Sequence, residues 1–206
     1  MDAGRLGCWS VFVPFDQMPR VARWRFQPDV ATLAEGDVSI EEGPVIRRLS
    51  VEDVDVFRHI RLEALSHEPL SFASVFDDWV HLSDREWRQH LDQPVFVAFL
   101  SGQPVGMMGL RFQRARKMVH RATLVSVYVR KGERGTGIAA NLLHDVTEHA
   151  RNHGVLQLEL SVNAENSAAI RFYQRCGFVE VGRIPNGFLG LGMENEELIM
   201  VLRLKK

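Results

Sequence analysis

The stretch VYVRKGERGTGIAANLL, residues 127–143, opens as a strand, breaks at Gly132, Gly135 and Gly137, and resumes as a helix. Ile138, Leu142, Val146 and Ala150 carry the helix at i, i+4 spacing, and Gly154 closes it as the residue past the C-cap. A turn this rich in glycine, flanked by Arg130, Lys131 and Arg134, suits an anion. The first N–H groups of a helix lack an acceptor, its dipole is positive there, and glycine lets phosphate oxygens approach the backbone.

Three phosphate loops compete for this turn. A P-loop requires Lys followed by Ser or Thr after its last glycine, whereas Ile138 and Ala139 follow here, so that reading fails. The run Gly135-Thr136-Gly137-Ile138-Ala139-Ala140 fits a dinucleotide fingerprint, which further requires an acid about 20 residues on, at the end of the next strand. That strand ends at Val162-Asn163, and too few β-α units remain to build the fold. The third reading is a pyrophosphate loop for an acyl-coenzyme A, cradled by the amides from Arg134 to Ala139. Taken alone, the loop does not separate this from a plain strand-to-helix turn.

Working outward, RATLVSVYV (121–129) precedes the turn as a strand, and VLQLELSV (155–162) follows the helix. Alternation places Leu156, Leu158, Leu160 and Val162 on one face of the second strand, with Gln157, Glu159 and Ser161 on the other. In the first strand, it sets Ser126 and Tyr128 opposite Val125, Val127 and Val129. VFVAFL (95–100) and PVGMMGLRF (104–112) form a hairpin around SGQ. VIRRL (45–49) is a strand. Ser50 then opens a helix with Asp53 as a capping-box variant, and Val54, Phe57, Ile60, Ala64 and Leu65 share a stripe. Ser83 and Glu86 cap a short helix. SAAIRFYQRC (167–176) is a helix stopped by Gly177, and FVEVG and ELIMVLRL are the last strands. The order β-α-α-β-β-β-α-β-α-β-β predicts a mixed α/β fold with one right-handed crossover near its centre.

The helix start Asn166 and Tyr173, two turns on, complete a second motif. R-G-x-G-x-A after a V-x-V strand, then N-x-x-A-x-x-F-Y-x-x-x-G-F about thirty residues later, closely resembles the GNAT acetyltransferase superfamily. The resemblance runs from Pro44 to the C-terminus. It implies a twisted, splayed mixed sheet of about seven strands with helices on both faces, and acetyl-CoA as co-substrate wedged between strands 121–129 and 155–162. By that resemblance the backbone of Val127, Tyr128 and Val129 pairs with the pantetheine arm and holds the thioester carbonyl. Arg134, Gly135, Thr136, Gly137, Ile138 and Ala139 bind the pyrophosphate, and Asn166 contacts the cofactor chain. Tyr173 donates a proton to the leaving thiolate. Lys131 stands where the family often has proline.

These parts predict an N-acetyltransferase that passes acetyl directly to a primary amine, because no Ser-His pairing is implied for an acyl-enzyme. Glu159 is the candidate base. The alternative is a coenzyme A-binding regulatory module without turnover. The acceptor is expected between the loop 66–82 and the segment 183–197. Glu68, Asp77, Asp78, Glu194, Glu196 and Glu197 make that rim acidic and suggest a cationic small-molecule or peptide amine.

Composition limits the remaining classes. With 206 residues, 46% hydrophobic and 25% charged, the chain has the make-up of a globular protein with one core. A net charge of −1 provides no overall basic field for nucleic acid or membrane. The longest apolar run, 95–100, is far below the ~20 residues of a membrane helix. Asp2, Pro14 and Asp16 argue against a secretory signal, and Cys8 and Cys176 fit reduced thiols with no metal spacing, so a cytoplasmic, metal-free protein is expected. Residues 1–43, with Trp9, Phe12, Phe15, Trp24 and Phe26 but no periodicity, form an N-terminal extension before a domain at 44–206. Its aromatics would cover the chain's own body or a second copy in a homodimer.

Overall fold

A computed structural model describes residues 43–190 and 193–204 of the chain. The N-terminal extension expected at 1–43, apart from Gly43, lies outside the described residues. Among the described residues, seven strands form one sheet in the order β1-β2-β3-β4-β5-β7-β6. They are β1 (Val45–Arg48), β2 (Val95–Leu100), β3 (Gln103–Phe112), β4 (Arg121–Val129), β5 (Gln157–Asn163), β6 (Val179–Gly190) and β7 (Met193–Arg203). All neighbouring pairs are antiparallel except β4 with β5.

Helices cover both faces, as the resemblance implies. On one side lie α1 (Val54–His67), α2 (Phe76–Val80) and α3 (Asp84–His90); on the other lie α4 (Ile138–Asn152) and α5 (Ser167–Arg175). The expected stripe of α1 is buried, and Arg61 is buried beside it. Ile138, Leu142, Val146 and Ala150 seat α4 on Met108, Leu110, Leu124 and Leu158. The two predicted capping boxes form. Ser83 N–H donates to Glu86 at 2.8 Å, and Ser50 N–H donates to Asp53 at 2.8 Å. The hairpin turns on Ser101 (φ 47°) and Gly102 (φ 75°), which sets Leu100 opposite Gln103, and the register shifts by one residue between Phe99 and Ala98.

Four expectations need correction. The alternation of β4 is broken by a bulge: Gly109 pairs with Val125 but Met107 pairs with Tyr128, so β4 has one extra residue, at Ser126 (φ 53°). Ala122, Leu124, Val127 and Val129 therefore face the α4 core and Tyr128 the α1 core, which parts Val125 from Val127 and Val129. Leu156 precedes β5 and is exposed, and Val155 is the buried residue there. Within the loop 66–82, α2 forms a helix of five residues. Finally, 183–190 and 193–197 are strand rather than connection, the long ends of β6 and β7.

Candidate active site

Parallel pairing of β4 and β5 lasts for three residues, Arg121 with Gln157, Ala122 with Leu158 and Thr123 with Glu159. Beyond them each strand keeps only its outer neighbour: β3 for β4, and β7 for β5, where Leu160 to Asn163 pair with Met200 to Glu197. Their inner edges thus part into a gap where, among the described residues, β4 has no further strand partner and an extended ligand can add as a strand.

Glu159 stands at the vertex of this gap. Both its oxygens accept from Arg121, Nε and Nη2 (the latter at 2.7 Å), and one also accepts from Gln157 at 2.9 Å. The Arg121 hydrogen bonds hold its carboxyl below the usual carboxylate range against the opposing effect of burial. A carboxylate so engaged is a weak proton acceptor. The structure therefore places the expected base in a clamp that closes the splay.

At the open end of β4 the chain makes a 3-10 turn, Lys131–Glu133, and two left-handed residues follow, Gly135 (φ 88°) and Gly137 (φ 94°). Thr136 Oγ1 donates to the Glu133 carbonyl at 2.8 Å and fixes the curl. The Gly137 carbonyl accepts from Ala140 and Asn141, each at 3.0 Å, and starts α4. The N–H of Arg134 is taken by the Lys131 carbonyl at 3.4 Å, whereas those of Gly135 to Ala139 have no protein acceptor among the described residues. The concavity thus starts one residue later than its sequence signature. The Arg134 side chain turns back, donating from Nε to the Val129 carbonyl at 3.0 Å and from Nη2 to Glu68.

On the far side, Asn166 caps α5, its Oδ1 accepting from Ala169 N–H at 3.1 Å. That leaves its amide nitrogen for a ligand. Tyr173 is 5% exposed, between Phe172 (ring centroids 5.2 Å apart) and Phe178 (5.5 Å). Burial holds its hydroxyl pKa well above the ordinary phenol value, with Cys176 adding to the shift. Tyr173 therefore keeps its proton at neutral pH.

Glu63 on α1 was missed by the sequence reading. It accepts from the Tyr128 hydroxyl at 3.0 Å and from Arg130 Nε and Nη2 at 2.9 and 2.7 Å. Burial pushes its carboxyl up, and the Arg130 and Tyr128 hydrogen bonds outweigh that, so the net shift is downward. One carboxylate thus fixes the middle of the triplet 127–129 and the first residue of the glycine loop. Partners 65 and 67 positions away leave no local signal.

Among the described residues, no helix is long and apolar enough to cross a membrane. Nor does any cluster of three or more His, Cys, Asp or Glu among them suit a metal ion.

This arrangement has relatives. The family model described as Acetyltransferase (GNAT) family matches residues 58–178. An uncharacterised N-acetyltransferase of Methanocaldococcus jannaschii is 27% identical over 143 residues, 66% of this chain, and the chain spans only 60% of that protein. The L-methionine sulfoximine/L-methionine sulfone acetyltransferase of Salmonella typhimurium is 26% identical over 147 residues, 69% of this chain and 86% of the relative. Among solved structures, yncA of Salmonella typhimurium, determined with its cofactor acetyl-CoA, superposes with a TM-score of 0.69 at 20% identity, over 80% of this chain and 96% of that one.

Proposed function

The chain belongs to the GNAT acetyltransferase family, and from that premise we propose that it is an acetyl-CoA-dependent N-acetyltransferase acting on a primary amine. The observation that carries this reading is the run of amides from Gly135 to Ala139 at the mouth of α4, which have no acceptor among the described residues, beside a β4 edge that the splay parts from β5. In this reading the diphosphate of acetyl-CoA takes those amides. The pantetheine arm adds along Val127, Tyr128 and Val129, and a main-chain N–H near the bulge holds the thioester carbonyl oxygen as charge develops on it. Asn166 reaches the cofactor through its amide nitrogen.

The neutral amine attacks the carbonyl carbon, a C–N bond forms and the C–S bond breaks. The amine proton leaves to water, because Glu159 is engaged by Arg121. Tyr173 gives its proton to the departing thiolate and regains one from solvent. The products are the acetamide and free coenzyme A thiol. Proximity supplies much of the remaining rate. The acidic rim is thinner than its sequence suggests, since Glu68 pairs with Arg134 and Glu196 with Arg183, while Asp77 and Asp78 stay exposed. A relative named for an amino-acid derivative supports a small amine as acceptor.

The test is free-thiol release from acetyl-CoA across a panel of amines, with Tyr173→Phe as the variant. Turnover should fall about 10²-fold or more while acetyl-CoA still binds, the range general-acid groups command. A chain that binds acetyl-CoA but releases no thiol with any amine would be a cofactor-sensing module instead. Unchanged turnover in Tyr173→Phe would remove the proton-donor role.

A further inference from the structure

Charges inside a protein are paired, and among the described residues Arg61 has no such partner. This residue of α1 is 3% exposed, and its Nε and Nη1 are buried without an acceptor. It makes no hydrogen bond or ion pair among the described residues. Two rings cover it instead: its guanidinium carbon lies 4.9 Å from the Phe72 ring centroid and 4.4 Å from that of Trp79. Trp79 stacks in turn on His90 at 4.3 Å. Burial pushes the Arg61 pKa down to about 10, and no carboxylate among the described residues opposes that shift. Stacking satisfies the faces of a guanidinium but none of its five N–H donors, which point along its plane.

The cover over Arg61 is lightly built. The α2 helix has no side-chain cap and no buried residue. Phe72 follows the 3-10 turn Pro69–Ser71, which lies against β5. Glu68, where that turn begins, reaches the cofactor loop through Arg134. The segment lying on Arg61 is thus continuous with the one that bridges from the cofactor loop to β5, across the open side of the splay.

We propose that Arg61 anchors a carboxylate carried by the amine acceptor, which enters beneath residues 72–80 with its amine directed toward the splay. This rests on the acetyl-transfer reading and adds the acceptor class: an amino acid, or another amine bearing a carboxylate. The planar fork of arginine matches two carboxylate oxygens, and the bound acid supplies a counter-charge that none of the described residues provides. A polyamine would instead bring a like charge to a buried cation.

Wild-type protein supplies the first test: thiol release from acetyl-CoA with L-amino acids against their matched carboxamides. The free acids should have kcat/KM higher by about 10-fold or more, the worth of a charge-assisted pair. Equal rates for acid and amide would overturn the anchor and leave acetyl transfer standing. Silence with every amine would count against the transfer reading alone. The anchor is then decided by binding: the Nε–H resonance of Arg61 should shift with an amino acid and not with its amide, and no shift refutes it. In Arg61→Gln the preference for acids should collapse through acceptor KM, with kcat and acetyl-CoA KM nearly unchanged; a retained preference refutes the proposal. Arg61→Lys, which keeps the charge without the fork, should lose part of the preference and serves if Arg61→Gln does not fold.

Discussion

Asp53 carries two duties on one short side chain. It accepts from Ser50 N–H as the acid of the capping box and takes both nitrogens of Arg47 at 2.8 and 2.9 Å. The Arg47 hydrogen bond leads the causes that hold its pKa down to about 2, against an ordinary value of 3.8. A carboxyl whose folded pKa is depressed stabilises the fold above its unfolded pKa and loses that contribution as pH falls through the folded one. Stability should therefore decline between about pH 4 and pH 2, and Asp53→Asn should flatten that limb while costing about 1 kcal/mol at neutral pH. Urea melts of both proteins at pH 3 and pH 7 measure it; parallel losses at the two pH values would contradict the assignment. At this scale the sequence is legible where a residue acts on near neighbours. Ser50 with Asp53, Ser83 with Glu86 and Asn166 as a cap all follow from spacing. Glu63, Arg121 and Arg61 do not, because what decides each of them is a residue on another element, or the lack of one.

The element that matters most is the turn from Arg130 to Gly137. Its glycines are legible because Gly135 and Gly137 sit at φ values that other residues rarely adopt. A Cβ on Gly137 would meet nothing within 4 Å, so the fold tolerates its volume and objects only to its backbone. Gly137→Ala should then cost roughly 1–2 kcal/mol of stability from the left-handed conformation. The methyl and the altered backbone would also disturb the cradle, so acetyl-CoA KM should rise about 10-fold or more while acceptor KM holds. Thermal melts and initial rates separate the two effects; an unchanged acetyl-CoA KM would take the diphosphate away from this loop. The bulge of β4 was not legible, because Ser126 adopts φ 53° without the glycine or asparagine that announces such a turn. Nor were the long ends of β6 and β7, where Pro185 and Gly187 suggest a loop and the ladder steps over them between Ile184 and Phe188.

For the whole domain, the consequence of the splay is mechanical. Strands β1 to β4 and β5 to β7 share a ladder of only three residue pairs, so the sheet is weakest where the cofactor is proposed to lie. The cores on its two faces compensate unevenly. The α4 core crosses the vertex, joining Leu124 of β4 to Leu158 and Leu160 of β5, whereas among the described residues the α1 core holds none from β5 or β7. The seven strands and every helix but α2 were readable from the sequence, but the parting of β4 from β5 came only with the family resemblance, since both strands have an ordinary alternating sequence pattern. If acetyl-CoA fills the gap as an added strand, it ties the two parts of the sheet where the protein does not. Saturation at about 100 times Kd should then raise stability by about 2.7 kcal/mol. Amide exchange should slow at Val127 to Val129 as well as at Gly135 to Ala139. A ligand that protects the loop alone would be held by its diphosphate outside the sheet, with its thioester away from Tyr173. Protection of β4 together with the loop is thus the outcome required if transfer occurs inside the splay.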